Sequence, residues 1–253
     1  MTGQQKVLLV TVGALALTIA FMAGWFVGQQ QAAQPDNTIE ATTQSETLST
    51  ESTNEKVTNN TQSSKPTDST KGLVFTLINN GTAYEVSGYT GSSSDVTIPS
   101  TYKSKPVTRI GDSAFSGNTK LETVSLPDSI TEIGEFAFYH CYNLTSIVIP
   151  HPVKSIETGS FDGCFRLTSV TLYYGIESIG KDAFSSCFDL SSFTIPGSVT
   201  LIDSSAFSGC NDLTKLSFNG TVEQWEAMER KLGWNLMVPA TKVICLDGTV
   251  PLK

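Results

Sequence analysis

IGDSAFSGNTKLETVSLP, Ile110 to Pro127, is followed five residues later by IGEFAFYHCYNLTSIVIP, Ile133 to Pro150. Laid over each other, the two stretches set a period of 23 residues that the rest of the chain keeps. Phe115, Phe138, Phe161, Phe184 and Phe207 form one column, Ile110, Ile133, Ile156, Ile179 and Ile202 a second, and Leu121, Leu144, Leu167, Leu190 and Leu213 a third. Val107, Ile130, Val153, Ile176 and Val199 make a fourth. Val124, Ile147, Val170, Phe193 and Leu216 make a fifth, and Leu126, Ile149, Leu172, Ile195 and Phe218 a sixth. One such unit has too little apolar surface to fold alone, so equivalent positions must stack into a continuous core, which is a solenoid.

Within a coil, Thr123 to Leu126 alternates polar and apolar, as do SIVI, SVTL, SFTI and KLSF one period apart. That is the signature of a strand with one buried face, and stacking predicts a parallel sheet with strands about 4.8 Å apart. A shorter strand ending at Ile133, Ile156, Ile179 and Ile202 follows a turn marked by Pro127, Pro150 or Pro196. In the remaining arc, Ala and Phe follow Ile at the spacing of a short helical or 3₁₀ turn laid on the core.

The repeat I-G-x-x-A-F-x-x-C-x-x-L-x-x-V-x-I-P resembles the BspA-like leucine-rich repeat class of bacterial and protozoan proteins, over residues 73–250. The resemblance implies a leucine-rich repeat solenoid, with a parallel sheet on one face and short helical or 3₁₀ turns opposite. Coil 3 departs from the pattern: Glu157, Thr158 and Ser160 stand around the expected Ile-Gly and Ala positions, and Tyr173 replaces Pro. Asn118 stands where later coils carry Cys. Residues 107–218 then hold five repeats, 73–106 an amino-terminal cap with its lead-in strand, and 219–253 a carboxy-terminal cap. GTAYEVSGYTGSSSDVTIP, Gly81 to Pro99, reads as a hairpin and strand. Trp225, Met228 and Leu232 have helical spacing, and KVICLDG reads as a closing strand.

Upstream lie two different segments. Val7 to Gly28 carries no charge over 22 residues, and a helix of that length reaches about 33 Å against roughly 30 Å of bilayer hydrocarbon. It reads as a transmembrane signal anchor with residues 1–6, including Lys6, on the cytoplasmic side and the rest exported; secretion after signal cleavage is the alternative. Gly24 and Gly28 have the spacing of a helix-pairing motif. Residues 29–72 are rich in Ser, Thr, Gln and Asn and hold only Ile39, Leu48 and Val57 as large apolar residues. Such a segment predicts a disordered linker with a root-mean-square reach of about 35 Å.

The chain has 16 basic and 24 acidic residues, a formal charge of -8. Of these, 12 basic and 18 acidic residues lie beyond residue 72, so the repeat region carries -6, which argues against a nucleic-acid partner. Cys141, Cys164, Cys187 and Cys210 share a column and must be stacked neighbours. They read as small buried thiols; an oxidised rung is the alternative, and the spacing is not that of a zinc site. His140 and His151 have no nucleophile motif beside them, the carboxylates are dispersed without a cleft, and the Gly-rich phrases lack the setting of a phosphate loop. No cofactor and no catalysis are expected. Asn59, Asn80, Asn143 and Asn219 head N-glycosylation sequons, relevant only if the export route glycosylates asparagine.

The remaining signal is surface. Tyr142, Phe165 and Phe188 follow the Cys column at the same period, and recurring exposed aromatics are the material of binding hot spots. Tyr139, Tyr173 and Tyr174 on turns can widen that patch, and the outward strand positions Val148, Thr171 and Thr194 belong to a flat, hydroxyl-rich face. Partial packing between coils explains the same aromatics equally simply. The family resemblance supplies the function: a surface-displayed module for adhesion or protein binding, on a membrane-anchored stalk. The alternative is an envelope scaffold or accessory subunit that docks a partner of the same cell.

Overall fold

The computed structural model describes residues 71–252; the proposed cytoplasmic segment and membrane span, and all of the linker except Lys71 and Gly72, lie outside them. No helix among the described residues is long and apolar enough to cross a membrane. The described chain is a solenoid, mainly β, whose coils have three walls: a long strand, a short strand and an arc.

On the long wall, Asp95–Thr97, Thr123–Ser125, Ser146–Val148 and Ser169–Thr171 pair in parallel, each in register with its equivalent one coil on. A second parallel group holds Ser192–Pro196, Lys215–Asn219 and Lys242–Ile244, and the antiparallel strand Thr249–Pro251 closes it. The short wall divides as well. Glu132–Ile133 pairs with Lys105–Ile110, while Ser155–Ile156, Ser178–Ile179, Leu201–Ile202 and Glu229–Arg230 form a separate ladder.

The core is the stack of columns read from the period. All five Phe rings are buried, with neighbouring centroids 5.2, 5.3, 5.4 and 5.5 Å apart and nearly parallel planes. Each such side chain is worth about 1.5–3 kcal/mol of burial, and the offset stack adds ring-on-ring attraction. Val170 and Leu172 of coil 3, with Leu126 of coil 1, are the departures, half-buried where Ile147, Phe193, Ile149 and Ile195 are fully buried.

The arc is not helical. Alternate backbone N–H groups leave the coil and donate to the next one: Phe138 to Ser160, Phe161 to Ala183 and Phe184 to Ala206, all at 2.8–2.9 Å. The intervening N–H groups close tight turns within the coil, as Ala137 does on Gly134 and Tyr139 on Phe136. Two left-handed residues per coil make this possible, at Ser113, Phe136, Gly159, Asp182 and Ser205 and again at Gly117, His140, Gly163, Ser186 and Gly209. A helix would satisfy those groups inside the coil; the stack satisfies them between coils, so the Ala-Phe spacing is that of a turn ladder instead.

At the amino-terminal end Leu73–Ile78 pairs antiparallel with Ala83–Tyr89, which runs parallel to Lys105–Ile110 and acts as a preliminary coil. The hairpin expected after Gly81 is therefore formed with upstream residues. Tyr89 lies 5.5 Å from Phe115 and covers the Phe column, and Arg109 ties coil to cap through Glu85, Asp112 and Glu132 at 2.6–2.7 Å. At the other end the helix α1, Val222–Ala227, starts with a capping box between Thr221 and Gln224. It buries Trp225, but stops before Leu232, which is 97% exposed because Glu229–Arg230 leaves the helix to join the short wall. Residues 229–244 thus form a sixth coil, in which Trp234 sits 6.1 Å from Phe207 and closes the core.

Candidate functional site

The column after Cys forms a row on the surface. Tyr142 and Phe165 stack at 4.7 Å and 15°, Phe165 and Phe188 at 4.8 Å and 17°, which is the coil spacing carried outward by rings. Tyr142 and Phe165 are half-buried and Phe188 is exposed. The inter-coil packing and the recurring aromatic surface are therefore one arrangement.

Phe136 and His140 extend this row; nothing in the repeat pattern marks Phe136, and His140 stands out in the sequence only as one of two histidines. His140 stacks on Tyr139 at 3.7 Å and stands 5.1 Å from Tyr142, whose hydroxyl lies 3.2 Å from His140 Nδ1. Phe136 meets Tyr139 edge-on at 5.7 Å. The contacts thus run from Phe136 through Tyr139, His140, Tyr142 and Phe165 to Phe188. Phe136 and His140 both occupy left-handed backbone positions, with φ of +56°, that the other four repeats give to Ser, Gly or Asp. Such a conformation costs a bulky residue about 1–2 kcal/mol, a strain that other contacts must hold in place. The holding contacts come from coil 3. A Cβ on Gly159 would lie 2.4 Å from the Phe136 ring, and one on Gly163 would lie 2.2 Å from that of His140. Those glycines are the floor on which the two rings rest.

Beside His140 stands Asp162, whose carboxyl burial pushes above its ordinary 3.8; a hydrogen bond from Ser185 opposes that rise, and the charge of Asp182 adds to it.

Tyr173 and Tyr174 do not widen this row. They follow the long strand rather than precede it, so they lie at its opposite end, where Tyr173 stacks on His151 at 3.8 Å and Tyr174 is 81% exposed. Between the two aromatic groups, Val148 is exposed, Thr171 half-buried and Thr194 exposed.

The Cys column is held inside. Each thiol donates to the carbonyl of the Phe one coil back: Cys141 to Phe115 at 3.1 Å, Cys164 to Phe138 at 3.2 Å, Cys187 to Phe161 at 3.4 Å and Cys210 to Phe184 at 3.1 Å. Burial pushes Cys141 and Cys210 up to about 12, and Cys164 and Cys187 well above their ordinary value. All four stay protonated donors and are free thiols. Among the described residues no group of three or more His, Cys, Asp or Glu side chains is placed to hold a metal ion.

Comparison with known proteins bears on this arrangement. The family pattern described as the BspA type leucine rich repeat region matches residues 88–225 in six copies. Among solved structures, the T. pallidum leucine rich repeat protein is 28% identical with a TM-score of 0.56, over 69% of this chain and 84% of its own. A leucine-rich repeat protein of Bacteroides ovatus is 34% identical at a TM-score of 0.53, over 65% of this chain and 47% of its own. A leucine rich cell surface protein of Faecalibacterium prausnitzii is 26% identical at 0.51, over 70% and 54%. The chain thus spans about half the length of those two. A search of curated proteins gave no match.

Proposed function

Since the chain belongs to the BspA-type leucine-rich repeat family, whose pattern matches residues 88–225, we propose that residues 71–252 form a non-catalytic protein-binding module displayed at the cell surface. In this reading residues 7–28 anchor it in the bilayer, residues 29–72 hold it away, and the ligand is an extracellular or envelope protein met during adhesion. The supporting observation is the row of rings from Phe136 to Phe188, continuous across three coils, with Phe136 and His140 on strained backbone. Rigid surface aromatics, here half-buried at Tyr139, His140, Tyr142 and Phe165 and exposed at Phe136 and Phe188, supply contact area at small entropic cost, and such strain gathers at functional sites. The likeness to a F. prausnitzii cell surface protein supports the placement.

The test uses intact cells that express the full chain or a Tyr142→Ala, Phe165→Ala, Phe188→Ala variant, exposed to an array of extracellular matrix proteins. We expect retention by the native chain and a loss of about tenfold or more in the variant. Background binding by both removes the adhesion reading. Photocrosslinking in those cells that recovers only envelope proteins of the same cell moves the function to a scaffold.

A further inference from the structure

The row of rings stops at Phe188. Phe165 covers one face of that ring at 4.8 Å, while coil 5 puts Asn211 in the same column, with a side chain too short to reach across a phenyl ring. Among the described residues no second aromatic ring stacks on Phe188 and no cationic side chain lies over it, and it is 38% exposed. The backbone link between coils stops at the same place. The N–H groups of Arg166 and Asp189 donate to the carbonyls of Tyr142 and Phe165 at 3.2 and 3.0 Å. Asp212, next in that column, makes no such bond, and the Phe188 carbonyl accepts none among the described residues.

The column beside the rings changes sign here as well. It runs Lys120, Asn143, Arg166, Asp189 and Asp212. Asp189 and Asp212 are exposed, one coil apart, and neither is in an ion pair among the described residues. Arg166 is turned the other way and donates to Asn143 Oδ1 at 3.3 Å. Like charges in stacked positions repel each other, and a cation between them removes that cost. An open ring face, a free carbonyl oxygen and two unpaired carboxylates therefore meet at one end of the row, and all of them attract a positively charged donor.

We propose that this end of the row receives an arginine side chain of a partner protein, its guanidinium laid on the free face of Phe188 as the next plane of the stack and donating to Asp189, Asp212 and the Phe188 carbonyl. The inference rests on the row being a protein-binding face and names the group that face recognises. A guanidinium suits the place better than an ammonium, because it is planar, stacks on rings and presents its N–H groups as a fork. The chain makes such a pair internally, with the Arg230 guanidinium 4.8 Å from the Trp225 ring centroid. A second copy is not the source: the three arginines of the chain, Arg109, Arg166 and Arg230, are each engaged within it. A phosphate or sulfate ligand would meet two carboxylates of its own sign.

The test is ligand-observed NMR on the full chain in lipid nanodiscs. The probes are peptides about nine residues long, Gly and Ser around one central Arg, Lys or citrulline, the last a neutral isostere of Arg. The Arg peptide should bind with a dissociation constant of about 1 mM or below, about tenfold more tightly than the citrulline peptide and severalfold more tightly than the Lys peptide. An Asp189→Asn, Asp212→Asn variant and a Phe188→Leu variant should each weaken it by about tenfold, and both should melt near the native temperature, since these side chains are exposed. No binding of the Arg peptide, or equal binding by either other peptide or by the variants, overturns the proposal. The matrix-protein array separates it from the broader function. If the Asp189→Asn, Asp212→Asn cells are retained like the native ones while the triple alanine cells are lost, the aromatic face stands and the arginine site is overturned. If the Arg peptide binds while native cells show only background retention, the arginine site stands and adhesion is removed.

Discussion

Asp162 shows how closely single side chains on the aromatic face are tied to the coil beneath. Its carboxyl is half-buried beside Asp182 and titrates above 3.8, so the folded state holds the proton more tightly than the unfolded chain. The sign follows from linkage: the contribution of this group is fully stabilising below pH 3.8 and is lost as pH rises through its elevated folded value. At neutral pH the charge is a burden that Ser185 and His140 relieve in part. Asp162→Asn should therefore melt above the native protein at pH 7, with the gap closing as pH falls toward about 4. Thermal melts followed by circular dichroism across that range check it; a gap constant with pH would mean that charge is not the cause.

At the scale of the element, the arc explains both what the sequence disclosed and what it withheld. Columns fixed by burial, such as Phe115 to Phe207, stand out because only apolar side chains serve there. The arc is held by backbone hydrogen bonds between coils, which leave no side-chain signature beyond small or turn-forming residues at two positions. Phe136 and His140 are conspicuous only once those columns are known to be left-handed, so the repeat pattern shows Tyr142, Phe165 and Phe188 with Tyr139 beside them but not the two rings that join the row. The same picture separates two glycine substitutions. Gly163→Ala and Gly209→Ala both place a Cβ at positive φ, with φ of +73° and +76°, at a cost of about 1–2 kcal/mol each. At Gly209 the nearest atom is 3.6 Å away, whereas at Gly163 it is the His140 ring at 2.2 Å. Gly163→Ala should lose more stability and, by lifting His140 off Tyr139, change the near-ultraviolet circular dichroism of the tyrosines. Equal effects of the two substitutions would show that the ring does not rest on Gly163.

For the whole molecule, stability in a solenoid is close to a sum over coils and the interfaces between neighbours, so the weakest interface decides where cooperativity fails. Coil 3 is held least. Toward coil 2 its long strand and arc are hydrogen-bonded, but the short wall is interrupted between Glu132–Ile133 and Ser155–Ile156. Toward coil 4 the short wall and arc are intact, but the long wall is interrupted between Ser169–Thr171 and Ser192–Pro196. The residues supply reasons. Thr145 and Thr168 each bond a carbonyl one coil back through the side chain, and Ser191 in that column makes no such bond to Thr168. Thr131 and Thr200 do the same on the short wall, where coil 3 has Lys154. The departures at Glu157, Thr158 and Tyr173 fall in this same coil, and Val170 and Leu172 are only half-buried there. Coil 3 also carries Phe165 and the floor glycines of the aromatic row, so the loosest part of the stack lies under the candidate binding face. Amide exchange in the free protein should be faster for the long strand of coil 3 than for those of coils 2 and 5, and a ligand on the row should reduce that difference by joining coils 2, 3 and 4. Uniform protection across the coils would remove coil 3 as the point where the stack opens.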